Sequence, residues 1–173
     1  NKPTLNPIKR KYKERFLFIG RLAKEKNIEM IVDLFNCLKE YKLTIIGTGP
    51  LEEILKNKAK ENINFKGQIV NRDLNKYFES NDVLMLTSTA EPWGLVIEEA
   101  LFFGIPVIVS SNCGACVLIN EGVNGYIIDL NNARSMRDII LNLNDKVYIK
   151  LLEGVEQFSI NDKDIEQLKV YFA

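Results

Sequence analysis

Short, continuous apolar runs alternate along this chain with stretches in which apolar residues return every three or four positions. Runs at 16–19, 43–46, 63–65, 83–86, 106–109 and 126–128 predict short buried strands. Helical periods lie between them. Ile28, Ile31, Val32, Phe35 and Leu38 share one helix face, with Asn27 as its N-cap. A second helix is predicted from Pro50, with Glu52 and Glu53 in a first turn whose dipole favours acids. Further helices are predicted over 72–80, 94–103, 115–121, 133–143 and 146–158, and from Asp162 to the end. Crossovers between parallel strands are right-handed and lay a helix on the sheet face. The alternation therefore predicts an α/β domain: a Rossmann-like, open, mostly parallel six-stranded sheet with helices on both faces.

Composition narrows the function classes. With 173 residues, 46% of them hydrophobic, the chain can bury one full core. Its 23 basic and 23 acidic residues balance, so no nucleic-acid or lipid surface is expected. Apolar runs such as 105–109 are too short to span a bilayer, and no signal peptide opens the chain; a soluble cytoplasmic protein is the expectation. The chain begins with Asn1, and residues 1–15 form a polar stretch with Pro3, Pro7 and a basic run. They read as a linker from another domain, with residues 16–173 as the domain proper, so a piece of a longer protein is expected. A membrane-surface patch is the other reading of the basic run, but Glu14 interrupts it and no amphipathic helix carries it.

The chemistry lies in loops at the C-terminal ends of the predicted strands, where open α/β sheets bind ligands. After the first strand come Gly20, Arg21, Lys24 and Lys26, a Gly turn with cations at the mouth of a helix. Such a loop suits a diphosphate: Arg21 can fork two oxygens, Lys26 adds a point charge, and the helix N-terminus offers free amides. After the fourth strand, Glu91-Pro92-Trp93-Gly94-Leu95-Val96-Ile97-Glu98-Glu99-Ala100 sets Glu91 on the loop and Glu99 inside the following helix. Gly94 makes the bend, and the amides of Gly94, Leu95 and Val96 open the helix.

Taken together, these motifs resemble the group 1, or family four, retaining glycosyltransferases of GT-B fold. In that family two Glu separated by seven residues hold the donor. The resemblance implies that Glu91 touches the donor sugar and Glu99 the ribose, and that Arg21 and Lys26 hold the diphosphate. Asn27 stands where the family pattern has Gly, a mild departure because Asn tolerates left-handed backbone. Phe65-Lys66-Gly67-Gln68-Ile69 matches the segment whose backbone reads the nucleobase, which implies that role for Ile69. Gly104-Ile105-Pro106 and Asn124-Gly125 match helix-to-strand junctions and read as structural. The resemblance spans residues 16–143. It implies the C-terminal, donor-binding half of a GT-B enzyme acting in surface polysaccharide, lipopolysaccharide or glycolipid synthesis. The donor is a nucleoside diphosphate sugar, UDP favoured over GDP or ADP, with no cofactor and no metal. The partner is the enzyme's own N-terminal acceptor-binding domain, through which contact with the cytoplasmic face of the membrane would come.

Other motifs carry less. Gly47-Thr48-Gly49-Pro50 starts like a dinucleotide fingerprint, but Glu52 falls where its third Gly belongs, so NAD is not expected. The same four residues resemble a turn of the glycosyltransferases. Cys113-Gly114-Ala115-Cys116 has redox spacing, yet it follows the fifth strand and uses a loop the donor site needs. Cys37 is the remaining thiol and there is no His, which disfavours zinc and excludes an imidazole base. A CheY-like regulator would want acids where Gly20 and Arg21 stand. A nucleotide-sugar epimerase and a noncatalytic nucleotide-sugar-binding module share the fold and remain as alternatives.

Overall fold

The computed structural model describes residues 10–158. Six strands, β1 Arg15–Ile19, β2 Lys42–Ile46, β3 Ile63–Phe65, β4 Val83–Leu86, β5 Val107–Ser110 and β6 Gly125–Ile128, form one sheet in the order β3-β2-β1-β4-β5-β6. All five strand pairs are parallel, as the short unbroken apolar runs require. Residues of β4 and β5 are buried along their whole length because helices cover both faces. Phe16 pairs with Val83 and Leu17 with Leu84, which sets β1 beside β4 at the centre. There the strand order reverses direction, and open α/β sheets bind ligands at the carboxyl ends of the strands beside such a switch point.

The helices are α1 Ile28–Cys37, α2 Glu52–Lys58, α3 Asn75–Ser80, α4 Leu95–Phe102, α5 Ala133–Asn142 and α6 Asp145–Glu156. Ile28, Ile31, Val32 and Phe35, the face read from the sequence, are the buried residues of α1. Burying each such side chain contributes about 1.5 to 3 kcal/mol. Asn27 takes the N-cap position of α1 in the left-handed region, φ 50°, but its side chain does not cap; its Nδ2 lies 3.3 Å from Met30 Sδ. Gly104, at φ 78°, ends α4 as expected.

Three boundaries differ from expectation for tertiary reasons. The helix read from Pro50 begins at Glu52, because the Leu51 amide donates to the Leu22 carbonyl of the β1 loop instead of opening the helix. The segment 72–80 splits into a 3-10 turn at Asn71–Asp73 and then α3. The segment 115–121 is a 3-10 helix, Gly114–Leu118, after which Ile119 turns extended and is buried. The helix expected from Asp162 lies outside the described residues.

Residues 10–14 are docked on the domain. Arg10 donates to the carbonyls of Phe78 and Glu79, Tyr12 packs on Tyr148 with ring centroids 5.3 Å apart, and the amides of Lys13 and Arg15 both donate to Asp82 at 2.9 Å.

Candidate functional site

At the C-terminal edge of the sheet the loops after β1 and β2 are packed main chain to main chain. Gly20 donates to Ile46 O and Leu22 to Thr48 O. A Cβ on Gly47, whose φ is 129°, would lie 1.9 Å from Gly20 O, and one on Gly49 would lie 2.4 Å from Leu22 O. The Gly-x-Gly turn thus exists for close backbone approach. Beside it opens a cavity of about 430 Å³ whose wall includes Gly20, Arg21, Gly47, Gln68, Ile69 and Leu74. Three of the residues read from the sequence, Gly20, Arg21 and Ile69, meet there. Arg21 is exposed and its guanidinium has no ion pair or hydrogen bond among the described residues.

Across the switch point the loop after β4 is pinned on two sides. Thr87 Oγ1 lies 3.2 Å from both Lys26 O and Asn27 O, and the Thr89 amide donates to Glu25 O. Those contacts carry Lys26 to Glu91, and the two side chains form an ion pair. On the other side, residues 91–93 pair in parallel with the loop after β5. Glu91 N donates to Asn112 O, Gly114 N to Glu91 O, and Ala115 N to Trp93 O. A Cβ on Gly114 would lie 2.1 Å from Pro92 O, so this Gly of the Cys113 to Cys116 segment serves the Glu91 loop. All three cysteines are free thiols. Cys113 is buried, burial raises its thiol pKa, and its Sγ donates to Trp93 O at 2.8 Å.

Gly94 bends at φ 100° into α4, and a Cβ there would lie 3.4 Å from Glu91 Cγ. It therefore brings the helix start against Glu91. Leu95 and Val96 form the first turn of α4, Leu95 exposed and Val96 half-buried. Glu99, in the second turn, is only 7% exposed. Burial, with the Glu98 charge adding to it, pushes its pKa up to about 7. Its carboxyl makes no ion pair or hydrogen bond among the described residues. A largely buried carboxyl whose oxygens still reach solvent, held at a raised pKa, is a functional-site signal with a physical basis.

The structure thus gathers two groups: Gly20, Arg21 and Ile69 around the cavity, and Lys26, Glu91 and Gly94 at the mouth of α4. Lys26, Glu91 and Glu99 lie outside the cavity wall. Thr87, Glu98 and Gly114 shape the site without having been singled out from sequence. Thr87 alone left a signal there, as a polar residue ending an apolar strand. Among the described residues no group of three or more His, Cys, Asp or Glu side chains is arranged to hold a metal ion, and no helix is long and apolar enough to cross a membrane.

A parallel sheet of this order with helices on both faces is Rossmann-like and matches one half of a GT-B fold. Residues 5–156 match the family described as Glycosyl transferases group 1, and the chain belongs to that family. It is 34% identical over 149 residues to the poly(glycerol-phosphate) alpha-glucosyltransferase of Bacillus subtilis, covering 80% of this chain and 22% of that protein. Among solved structures, S. aureus TarM, crystallised with Fondaparinux, alpha-GlcNAc-glycerol and UDP, is similar with a TM-score of 0.76 at 22% identity, over 95% of this chain and 36% of that one. Anabaena Alr3699/HepE in complex with UDP-glucose gives 0.72 at 22% identity, over 91% and 49%. At those identities the likeness is one of fold. The chain spans less than half the length of the curated relatives it matches.

Proposed function

We propose that residues 16–173 are the C-terminal, donor-binding half of a retaining glycosyltransferase, and that residues 1–15 connect it to an N-terminal acceptor domain. One observation carries the reading: a cation from the β1 loop, Lys26, meets a carboxylate from the β4 loop, Glu91, across the switch point of the sheet. Cations on one side and a sugar-binding acid on the other are what a nucleoside diphosphate sugar needs. The cavity beside Arg21 has room for the nucleobase, with the main chain at Ile69 as its reader. Glu99 receives the ribose hydroxyls, which would donate to a largely buried carboxyl that has no ion pair or hydrogen bond among the described residues.

In this mechanism the bond between the sugar's anomeric carbon and the diphosphate breaks, and the acceptor hydroxyl oxygen bonds to the same face while its proton passes to the departing diphosphate. Negative charge grows on the departing diphosphate. Arg21 and Lys26 neutralise it, assisted by the amides of Gly94, Leu95 and Val96, while Glu91 orients the sugar. UDP is the favoured nucleotide, in keeping with the UDP and UDP-glucose complexes of the similar folds. Alone, the chain holds a donor on one open face, without an aligned acceptor or a second wall to exclude water, so it binds and does not turn over. The setting is the cytoplasm or the cytoplasmic face of the membrane, in polysaccharide or glycolipid assembly.

The test is transfer by the chain joined to its N-terminal domain, with product stereochemistry read by NMR. Retention of configuration supports the proposal and inversion refutes it. Donor incubated without acceptor separates the alternatives: an epimerised sugar points to an epimerase, and donor binding without any chemistry to a noncatalytic module.

A further inference from the structure

Trp93 is the chain's one tryptophan and directly precedes Gly94. The residue is 40% exposed, yet its indole N–H donates to Glu98 Oε1 at 2.6 Å. Its carbonyl accepts from the Ala115 amide and the Cys113 thiol, each at 2.8 Å. Main chain and ring are therefore held by different elements, the first by the β5 loop and the second by the first turn of α4. Between them Gly94 sits at φ 100°, and without a Cβ its backbone dihedrals are the least restricted of this bend. The bond from Trp93 to Glu98 spans that bend, from the residue before Gly94 to the fourth residue after it.

We infer that Glu98 is a positioning residue of the donor site: by clamping the Trp93 indole across Gly94 it fixes the main chain from Glu91 to Gly94 relative to α4. The inference rests on the donor-site reading above. A charge-assisted hydrogen bond on a half-exposed surface contributes little to stability, because solvent competes for both partners. Its consequence is geometric. With the clamp in place, the Glu91 carboxylate and the opening amides of α4 keep one spacing, which the sugar and its adjoining phosphate must both match. Without it the loop stays tied to the β5 side but can turn against the helix. The sugar end of the donor then loses its seat, whereas the nucleotide end, held by Arg21, Lys26 and Glu99, does not.

The test compares Glu98→Ala and Glu98→Gln, because Gln keeps an oxygen that accepts from the indole and drops the charge. Binding is measured at pH about 8.5, where Glu99 is ionised with or without the neighbouring charge. In the unliganded chain, Glu98→Ala should raise acrylamide quenching of Trp93 fluorescence, and Glu98→Gln should restore it to near the wild-type level. With ligand, Glu98→Ala should weaken UDP-glucose binding about tenfold while UDP changes less than about twofold, and Glu98→Gln should recover most of the loss. Equal losses for UDP and UDP-glucose, or a Gln variant as impaired as the Ala variant, would overturn the inference. So would unchanged quenching in Glu98→Ala. If the wild-type chain binds neither nucleotide while Glu98→Ala still unmasks the indole, the donor reading has failed and the clamp is a structural tie alone.

Discussion

Beside β1, β2 and β3 the site is walled by main chain, whereas beside β4 and β5 main-chain pairing of the two loops is joined by side-chain clamps. On the first side Gly47 and Gly49 let two loops touch at their carbonyls and leave a cavity whose exposed cation is Arg21. On the second, Lys26 pairs with Glu91, Cys113 and Glu98 hold Trp93, and Glu99 is buried. The contrast teaches what each side can recognise. Backbone walls give a fixed shape suited to a flat base and a diphosphate, while a hydrogen-bonded side-chain clamp suits hydroxyl groups whose arrangement differs from sugar to sugar.

Glycine substitutions should separate the two sides most strongly. Gly47→Ala sets a Cβ against the Gly20 carbonyl at a φ disfavoured for alanine. It should cost about 3 kcal/mol and lower the Tm by roughly 10 °C. Gly114→Ala also meets backbone, the carbonyl of Pro92, but at an ordinary φ, so it lacks the dihedral strain of Gly47→Ala. Its cost should be about half as large, with the damage showing in UDP-glucose binding instead. Thermal unfolding of both variants checks the ranking, and equal losses would erase the distinction between a rigid wall and a movable clamp.

Next in size are the cations. Arg21→Ala or Lys26→Ala should weaken UDP by about 1.5 to 3 kcal/mol, more than tenfold, and leave uridine nearly untouched. Lys26→Ala also releases Glu91 from its ion pair, so it should impair UDP-glucose further. Titration calorimetry with the three ligands resolves these terms.

The carboxylates should divide the donor. Glu99→Gln is expected to weaken UDP about fivefold, while Glu91→Gln spares UDP and weakens the sugar's contribution. Glu99 also leaves a signature in stability against pH. Its folded pKa, about 7, stands above the ordinary 4.5, so the folded chain holds a proton that the unfolded chain has lost between those values. Its contribution is therefore full below about pH 4.5 and fades as pH rises through 7. Asp82, also raised by burial, adds a slope of the same sign, so the Glu99 term is the difference between wild type and Glu99→Gln. No difference in slope would put Glu99 in water. The smallest effect expected is from EDTA: UDP affinity should not change, since in the proposed site Arg21 and Lys26 would supply the charge that a divalent ion supplies elsewhere.

Much of the fold was legible because central parallel strands are buried on both faces and read as unbroken apolar runs. Such are Val83 to Leu86 and Val107 to Ser110. The left-handed Asn27 and the bend at Gly94 were legible too, since few residues tolerate those angles. What hid from the sequence was long-range. The start of α2 is moved by Leu22, from a different loop. The Lys26 to Glu91 pair joins residues 65 positions apart. Glu98, beside the motif's Glu99, carried no sign of a partner in the sequence, and only the fold of the Gly94 bend delivers the Trp93 indole to it. The anchors of residues 10–14, Asp82 and Tyr148, likewise lie far along the chain.

The most direct test of the donor site is calorimetric titration of UDP and of uridine into the wild-type chain and its Arg21→Ala variant, all in EDTA. The account predicts that the wild type binds UDP more tightly than uridine without metal, and that Arg21→Ala loses more than about tenfold for UDP and little for uridine. UDP binding that requires a divalent metal, or that is the same with and without Arg21, would contradict it.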